Sequence, residues 1–483
     1  MYISFKPLTF ALAGLILGGC TLAPKYEQPK VAIPETFKFD TAKNGIQAAS
    51  LGWQDYFADP RLHRLIEIAL ERNTDLRAAA LNAEAVREQY RISRAALFPT
   101  LAASGQGARQ RTAADLGGVG SRIGESYSVG LGITGYELDL FGKARSTADA
   151  ALQSYFNSEA ARDSAHLSLI ASVAKAYFNE RYAEESMKLA QNVLKTREKT
   201  YSLTSLKFRA GVSSALDLRQ QEALIATAKA DYENAVQTRE QARNALAVLL
   251  NQPLPEDLPE GLPLDRQFKI DRLPAGLTSD VLLNRPDIRA AEYNLKQANA
   301  NIGAARAAFF PSISLTTSIG TGSTELNRLF KGGNGTWSFA PSINIPIFTW
   351  GNLKASLDAA KIRRQIQVVN YEAAVQSAFQ DVSNALVARE QLEKRYAATQ
   401  RQRKAYAETL RLTGLRYKQG VSSALDLLDA ERSSYGAETA LLANQLTRLE
   451  NMADLYKALG GGLKRHSDNA ETEKADNRGV EVF

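Results

Sequence analysis

The sequence predicts an α+β membrane protein made by internal tandem duplication, each repeat supplying one β-hairpin and a set of long helices. Three observations predict it. First, Gly211-Val212-Ser213-Ser214-Ala215-Leu216-Asp217-Leu218 returns letter for letter as Gly420-Val421-Ser422-Ser423-Ala424-Leu425-Asp426-Leu427, 209 residues later. Asp75–Ala79 with Asp287–Ala291, and Arg94–Pro99 with Arg306–Pro311, keep nearly the same offset. A repeat this long is a whole structural unit used twice, far beyond the period of a solenoid. Second, the stretch from Lys143 to Arg209 contains no proline or glycine, as a very long helix requires. Third, every odd position from Trp337 to Ile347 is apolar while the even ones are Ser338, Ala340, Ser342, Asn344 and Pro346, the period-two signature of a strand.

Residues 1–19 read as an export signal: Lys6 gives a basic start, Leu8 to Leu17 is apolar, and small residues precede Cys20. Leu17-Gly18-Gly19-Cys20 resembles the bacterial lipoprotein box, which implies a covalent lipid on Cys20 and an acyl anchor in the membrane. Thr21 follows where an aspartate would favour inner-membrane retention, so the outer membrane is implied. Residues 20–59 are expected to form a tether and an equatorial segment, extended over the proline-bearing stretch from Ala23 to Pro34.

The first repeat covers residues 60–250. Leu62, Leu65, Ile66, Ala69, Leu70, Leu76, Ala80 and Ala83 recur at spacings of three and four and predict one helix from Pro60 to Leu97. A Gly/Ser/Thr-rich hairpin follows at about residues 99–140, where Tyr127, Val129, Leu131 and Ile133 alternate with small or polar neighbours. In the long helix from Lys143 to Arg209, the stripe Leu167, Ile170, Ala171, Ala174, Tyr177 and Phe178 marks one packed side. At 1.5 Å per residue that helix measures roughly 100 Å. Gly211 stops it and Ser213 or Ser214 caps the next, which runs to about Leu250. Residues 251–278 form a linker rich in proline and glycine. The second repeat, residues 279–459, has the same parts: a helix to Phe309, a hairpin at about residues 311–350, a long helix from Asn352 to Lys418 and a shorter one from Ser422 to Leu459. Pro341 and Pro346 lack a ladder donor and predict a bulge or a strand end nearby. Residues 460–483 are a polar, charged tail expected to be disordered.

Nine to eleven alternating residues suit a tilted strand of a membrane β-barrel. Four strands are too few to close one, and an open sheet would leave unpaired backbone groups in hydrocarbon. The chain must therefore oligomerise, and two, three or four copies all satisfy that condition. Helices this long, with no globular body to cover them, predict coiled-coil packing into a tube.

Composition removes other classes. No apolar run after the N-terminus reaches the length of a transmembrane helix. The net charge of +7 is dispersed among mixed-sign helices, which argues against a nucleic-acid partner. His63, His166 and His466 are far apart and Cys20 is the single cysteine, so a metal site or thiol nucleophile has little to draw on. No phosphate loop or nucleophile motif appears, so neither an enzyme nor a cofactor is expected beyond the lipid on Cys20.

The lipobox, the duplicated hairpin-plus-helices unit, both Gly-Val-Ser-Ser-Ala-Leu-Asp turns, Leu51–Pro60 and Asp426–Tyr435 together resemble the TolC-like outer-membrane factors of tripartite resistance-nodulation-division (RND) efflux pumps, in their lipoprotein branch. The resemblance implies a homotrimer whose twelve strands close one outer-membrane barrel, continuous with a helical periplasmic tunnel. It implies two protein partners, a periplasmic adaptor (membrane fusion protein) and an inner-membrane RND transporter, beside the outer-membrane lipid. Asp426 and Asp429, three apart on one helix face, match the Asp-x-x-Asp of the family's periplasmic gate. On a threefold axis they would make two carboxylate rings, each pair repelling by about 0.5 kcal/mol at roughly 8 Å in water. Aspartates in a first helical turn also complement the helix dipole with no gate at all. Tyr417 and Asp217 resemble gate-closing contacts, and Gly211, Val212, Ser213, Gly420, Val421 and Ser422 the turns onto which an adaptor docks. Ser422 stands where some relatives carry an arginine, so a closing ion pair there must be built differently. A type I protein-secretion duct would share this body, and a non-transporting coiled-coil scaffold would leave the four strands unexplained.

Overall fold

The structure, a computed structural model, describes residues 21–34, 37, 50–113, 122–270 and 279–466. The export signal, Cys20 and the tail from residue 467 onward lie outside the described residues. In chain order the elements are α1 (Trp53–Tyr56), α2 (Pro60–Arg72), α3 (Thr74–Ala95), β1 (Leu101–Thr112), β2 (Arg122–Leu138), α4 (Lys143–Arg209), α5 (Ala215–Leu250), α6 (Pro286–Ala307), β3 (Ser312–Ser323), β4 (Gly335–Asn344), α7 (Asn352–Lys418) and α8 (Ala424–Ala458). The chain divides into two compact units, residues 1–30, 82–159 and 290–372 forming the first, and residues 31–81, 160–289 and 373–483 the second.

The first unit holds one antiparallel sheet in the order β1-β2-β3-β4. Its register sorts the side chains. Leu101 lies opposite Ile133, Ile133 opposite Thr317 and Thr317 opposite Phe339; Ala103, Leu131, Ile319 and Trp337 form the next such row. Paired residues share a face, so this one carries Leu101, Leu131, Ile133, Ile319, Trp337, Phe339 and Ile343. The other carries Ser104, Gln106, Ser128, Gly130, Gly132, Ser318, Gly320 and Ser338 in the same register. On that polar face Ser314 and Ser342 hydrogen-bond across the strands at 2.8 Å, as do Ser318 and Ser338 at 2.7 Å. A Cβ at Gly320 would lie 2.3 Å from the Val129 carbonyl oxygen and one at Gly130 2.8 Å from that of Ile319. Glycine therefore lets the strands approach closely on the polar face.

The bulge expected near the prolines is in β2, where Ile133 pairs with Thr317 but Tyr136 with Leu315, leaving one extra residue. Gly135, at φ +66°, absorbs it. Leu315 faces Pro341 on its other side. Pro341 is tolerated because β4 is an edge strand in the single chain, and Pro346 falls past the end of β4 at Asn344.

Residues 21–30 are extended, as expected, but they are not a free tether. The Leu22 carbonyl accepts from Arg306 at 3.0 Å, the Pro24 carbonyl from Asn299 at 2.7 Å, and Tyr26 donates to Glu292 at 3.1 Å, all three partners on α6. Gly303 lies so close beneath that a Cβ there would meet Ala23 at 2.8 Å.

The second unit has an aromatic core. Tyr56 and Tyr456 stack at 4.2 Å, and each hydroxyl is satisfied by backbone: Tyr56 donates to the Met452 carbonyl at 3.0 Å and Tyr456 to that of Leu51 at 2.6 Å. Burial removes the phenolate's hydration and raises both phenol pKa values. The stripe Leu167, Ile170, Ala171, Ala174, Tyr177 and Phe178 is buried in full. Asp59 is also fully buried, and all its bonding capacity is used. It accepts from the Arg61 amide at 2.8 Å, capping α2, and from the Tyr177 hydroxyl, the Leu262 amide and the Gln267 amide group at 2.6, 2.8 and 3.1 Å.

The structure departs from the sequence expectation in two helices and at the start of the C-terminal tail. The helix drawn from Pro60 to Leu97 is two helices, broken at Asn73, whose side chain accepts from the Asp75 and Leu76 amides at 3.0 Å and donates to the Leu249 carbonyl at 2.9 Å. Asparagine there caps a new helix instead of continuing the old one. The helix expected from Ser279 is 3-10 over Ser279–Asn284 and becomes α-helical at Pro286, a favoured first position. Residues 460–463, assigned above to the disordered tail, are part of the packed chain: Gly460 to Gly462 are buried, and the Lys464 and Arg465 carbonyls accept from the Trp53 and Gln54 amides at 3.1 Å.

Replacing Asp59 by alanine removes the cap of α2 and takes the acceptor from the buried Tyr177 hydroxyl and the Leu262 amide, while the Gln267 amide group keeps the Leu262 and Pro263 carbonyls. The expected cost is about 2 to 3 kcal/mol. Thermal unfolding of the purified protein in detergent measures it, and a loss under about 1 kcal/mol would show that these bonds contribute little to stability.

Candidate functional site: the paired helical turns

The two octapeptides make the same turn twice. At the end of α4 the Gly211 amide bonds to the Phe208 carbonyl at 3.0 Å and the Val212 amide to that of Lys207 at 2.8 Å. At the end of α7, Gly420 bonds to Tyr417 at 3.1 Å and Val421 to Arg416 at 2.9 Å. Both are Schellman closures, with the glycine at φ +73° and +76°. Open space surrounds each Cα, so the positive φ, and no clash, is what requires glycine here.

The following helices start with capping boxes. Ser214 accepts from the Asp217 amide at 3.1 Å, and the Asp217 carboxylate accepts from the Ser214 amide at 3.1 Å, with the Ser213 and Ser214 hydroxyls at 3.0 and 2.8 Å. Ser423 and Asp426 repeat the box at 3.1 and 2.9 Å. Ser214 and Ser423 are thus the caps, not Ser213 or Ser422. The Ser423 amide, then its hydroxyl, hold the Asp426 carboxyl below the usual carboxylate range; for Asp217 the Ser214 hydroxyl comes first. Each of these aspartates is ionised at neutral pH and structurally engaged.

Asp429 is different. It lies one turn into α8, exposed, and accepts from Arg432 at 2.8 Å. Asp426 and Asp429 share a helix face without touching. Asp217 spends its carboxylate on Ser213 and Ser214, while the Tyr417 ring lies beneath the Lys207 ammonium at 4.6 Å. Within one chain, then, Tyr417 meets Lys207 and not Asp217. Val212, Leu216, Val421 and Leu425 present apolar side chains to solvent at the two tips, each at least two-thirds exposed.

Further along α8, Glu431 forms a buried ion pair with Arg197 of α4, joining the two repeats. Burial raises the Glu431 pKa, against the pull of Arg197. No sequence signal marks this pair, whose members are 234 residues apart. The Asp429–Arg432 pair, by contrast, has the i, i+3 spacing that local sequence rules mark.

The histidines have packing roles. His63 bonds to the Phe57 carbonyl at 2.9 Å and meets Trp53 edge-on, and burial lowers the pKa of His63 and of His166. His466 ends the described chain. Among the described residues, no three His, Cys, Asp or Glu are grouped to hold a metal ion, and no helix is long and apolar enough to cross a membrane.

A sheet with one apolar and one polar face, carried with duplicated helical hairpins, defines the class: an outer-membrane channel protein. The chain belongs to the outer membrane efflux protein family, whose model matches residues 65–252 and 277–461. It is 44% identical over 472 residues to a probable efflux pump outer membrane protein, TtgC of Pseudomonas putida, covering 96% of this chain and 97% of that one. It is 40% identical over 456 residues to the outer membrane protein OprJ of Pseudomonas aeruginosa, covering 93% and 95%. Among solved structures, the open state of the Neisseria gonorrhoeae MtrE outer membrane channel superposes with a TM-score of 0.87 at 65% identity, covering 93% of this chain and all of that one. The protein is an efflux channel of the outer membrane.

Ser423→Ala is expected to loosen the first turn of α8 by about 1 kcal/mol, read as faster amide exchange at residues 424–427. Because the Asp426 pKa is depressed in the folded turn, its contribution is complete at neutral pH and is lost as pH falls through that depressed value. Acid should therefore reproduce the Ser423→Ala effect, and alkali should not.

Proposed function

We propose that three copies of this chain assemble into a passive, gated exit duct that receives drugs or solvents from an inner-membrane RND transporter through a periplasmic adaptor and releases them outside. The observation that carries the reading is the sheet. Its apolar face suits lipid, its Gly/Ser face suits a water-filled lumen, and β1 and β4 are left as open edges that hydrocarbon does not tolerate. Joining β4 of one copy to β1 of the next gives twelve strands and no edge. Exposed Phe98, Phe310, Phe348 and Trp350 lie at the helix–strand junctions, where an aromatic girdle would meet the membrane interface. A lipid on Cys20 would anchor the same end, since residues 21–30 are fastened along α6.

Asp426 and Asp429 form the gate on this reading, as rings at the closed end of the helical tunnel. Tyr417 and Asp217 contribute closing contacts, and because Tyr417 meets Lys207 inside the chain, a Tyr417–Asp217 contact would have to join neighbouring copies. The exposed apolar tips around Gly211, Val212 and Ser213, and around Gly420, Val421 and Ser422, offer the adaptor a dry surface held by rigid turns. No catalysis and no cofactor enter this scheme, and the energy for transport comes from the partner. TtgC and its relatives are named for efflux of antibiotics, toluene and other solvents, which supports an efflux role over protein secretion.

Two experiments test it. The detergent-solubilised protein should have a mass of three chains, each close to 52.7 kDa before loss of the leader. A stable monomer would refute the barrel. Asp426→Ala combined with Asp429→Ala should raise single-channel conductance and make cells sensitive to vancomycin; unchanged leakiness in an intact assembly would remove these residues from the gate.

A further inference from the structure

The two tips share a backbone but not a charge pattern. In α8 the face beyond the cap carries Asp426, Asp429 and Arg432; the corresponding positions of α5 carry Asp217, Gln220 and Ala223. Asp426 is bonded to neutral donors of Ser423, with Arg416 only a minor influence on it, whereas Asp429 is in direct contact with a guanidinium at 2.8 Å. Arg432 is free of any packing duty at 80% exposure, and neighbouring Glu431 is turned away onto Arg197.

We propose that Arg432 is the specificity-determining counter-charge of the gate: it cancels Asp429, so that each chain presents one uncompensated carboxylate, Asp426, to passing ions. This rests on the gate reading given above. An exposed ion pair contributes little to stability, so a structural purpose is a poor account of Arg432. In a narrow, water-filled passage, however, fixed charge is focused by low-dielectric walls, and the sum of charges at one level sets whether cations or anions enter. Two carboxylates without Arg432 would bind cations strongly enough to slow them; one carboxylate with a neutralised neighbour attracts without trapping. The lone Asp217 of the first repeat needs no such counter-charge, and Ala223 supplies none.

The test uses the full-length protein in planar bilayers, with reversal potentials measured across a potassium chloride gradient. Arg432→Gln should raise the ratio of potassium to chloride permeability by about twofold or more. Asp429→Asn, which leaves Arg432 uncompensated, should lower that ratio, and the two substitutions together should return it close to the starting value. Arg219→Gln, which removes an exposed arginine of α5 paired with Glu222, should leave it unchanged. If Asp426→Asn shifts selectivity while Arg432→Gln does not, or if Arg219→Gln shifts it as much, the assignment to Arg432 is overturned and the gate stands. If none of the Asp426, Asp429 and Arg432 variants shifts it, the gate and Arg432 fall together.

Discussion

Backbone amides in hydrocarbon must be paired, and that requirement governs the rest of this molecule. An unpaired group there costs several kcal/mol, so a four-stranded sheet with two open edges is not a stable end state in a membrane. The duplicated architecture follows from it. One hairpin per repeat gives an even number of strands with both helical ends on the same side of the sheet, which is what long helices attached to each strand demand. The sheet's chemistry is consistent throughout its width: the rows from Leu101 to Phe339 and from Ala103 to Trp337 keep apolar side chains together across all four strands. A slip of one residue at any strand would put serine and glycine on the apolar face.

Away from the sheet, stability has a different source. Charges are few inside the second unit, and the most deeply buried of them is held by several partners at once. Asp59 shows how: a capped helix, a tyrosine from α4 and two groups of the linker converge on one carboxylate. Four donors replace the water that burial removes, and the group becomes a junction among segments that would otherwise have no reason to meet. Tyr56 and Tyr456 achieve the same on the neutral side, giving their hydroxyls to the backbone carbonyls of Met452, within α8, and of Leu51, ahead of α1.

The parts that sequence revealed are those governed by short-range rules. The bounds of α4 and α7 were legible because 67 residues without proline or glycine in α4, and without proline and with only Gly414 in α7, leave a helix little to break on, and Gly211 and Gly420 supply the stops. The strands were legible because apolar residues alternate with small or polar ones along them. Asn73 was not: it sits inside an apolar pattern that continues in phase on both sides, so only its side-chain bonds reveal the break. The same limit applies at the candidate site. The Ser-x-x-Asp spacing implies a capping box, but the immobilised Asp426 and the Arg-paired Asp429 looked equivalent as letters. The Arg197–Glu431 pair and the donors on Asp59 are long-range encounters, invisible to any local rule. The prolines from Ala23 to Pro34 signal an extended tether but not its fastening, in which the carbonyls of Leu22 and Pro24 are claimed by α6.

That fastening bears on how the polypeptide is made. Gln28 donates to Tyr371, 343 residues away, and the tyrosine stack spans still more: Tyr56 reaches Met452 across 396 positions and Tyr456 reaches Leu51 across 405. A ribosome must finish nearly the whole message before any of these contacts exists. Such distant closures are slow to form. Until they do, apolar strand faces and unpaired edges stay exposed, the condition in which a long chain with distant contacts is most prone to aggregate.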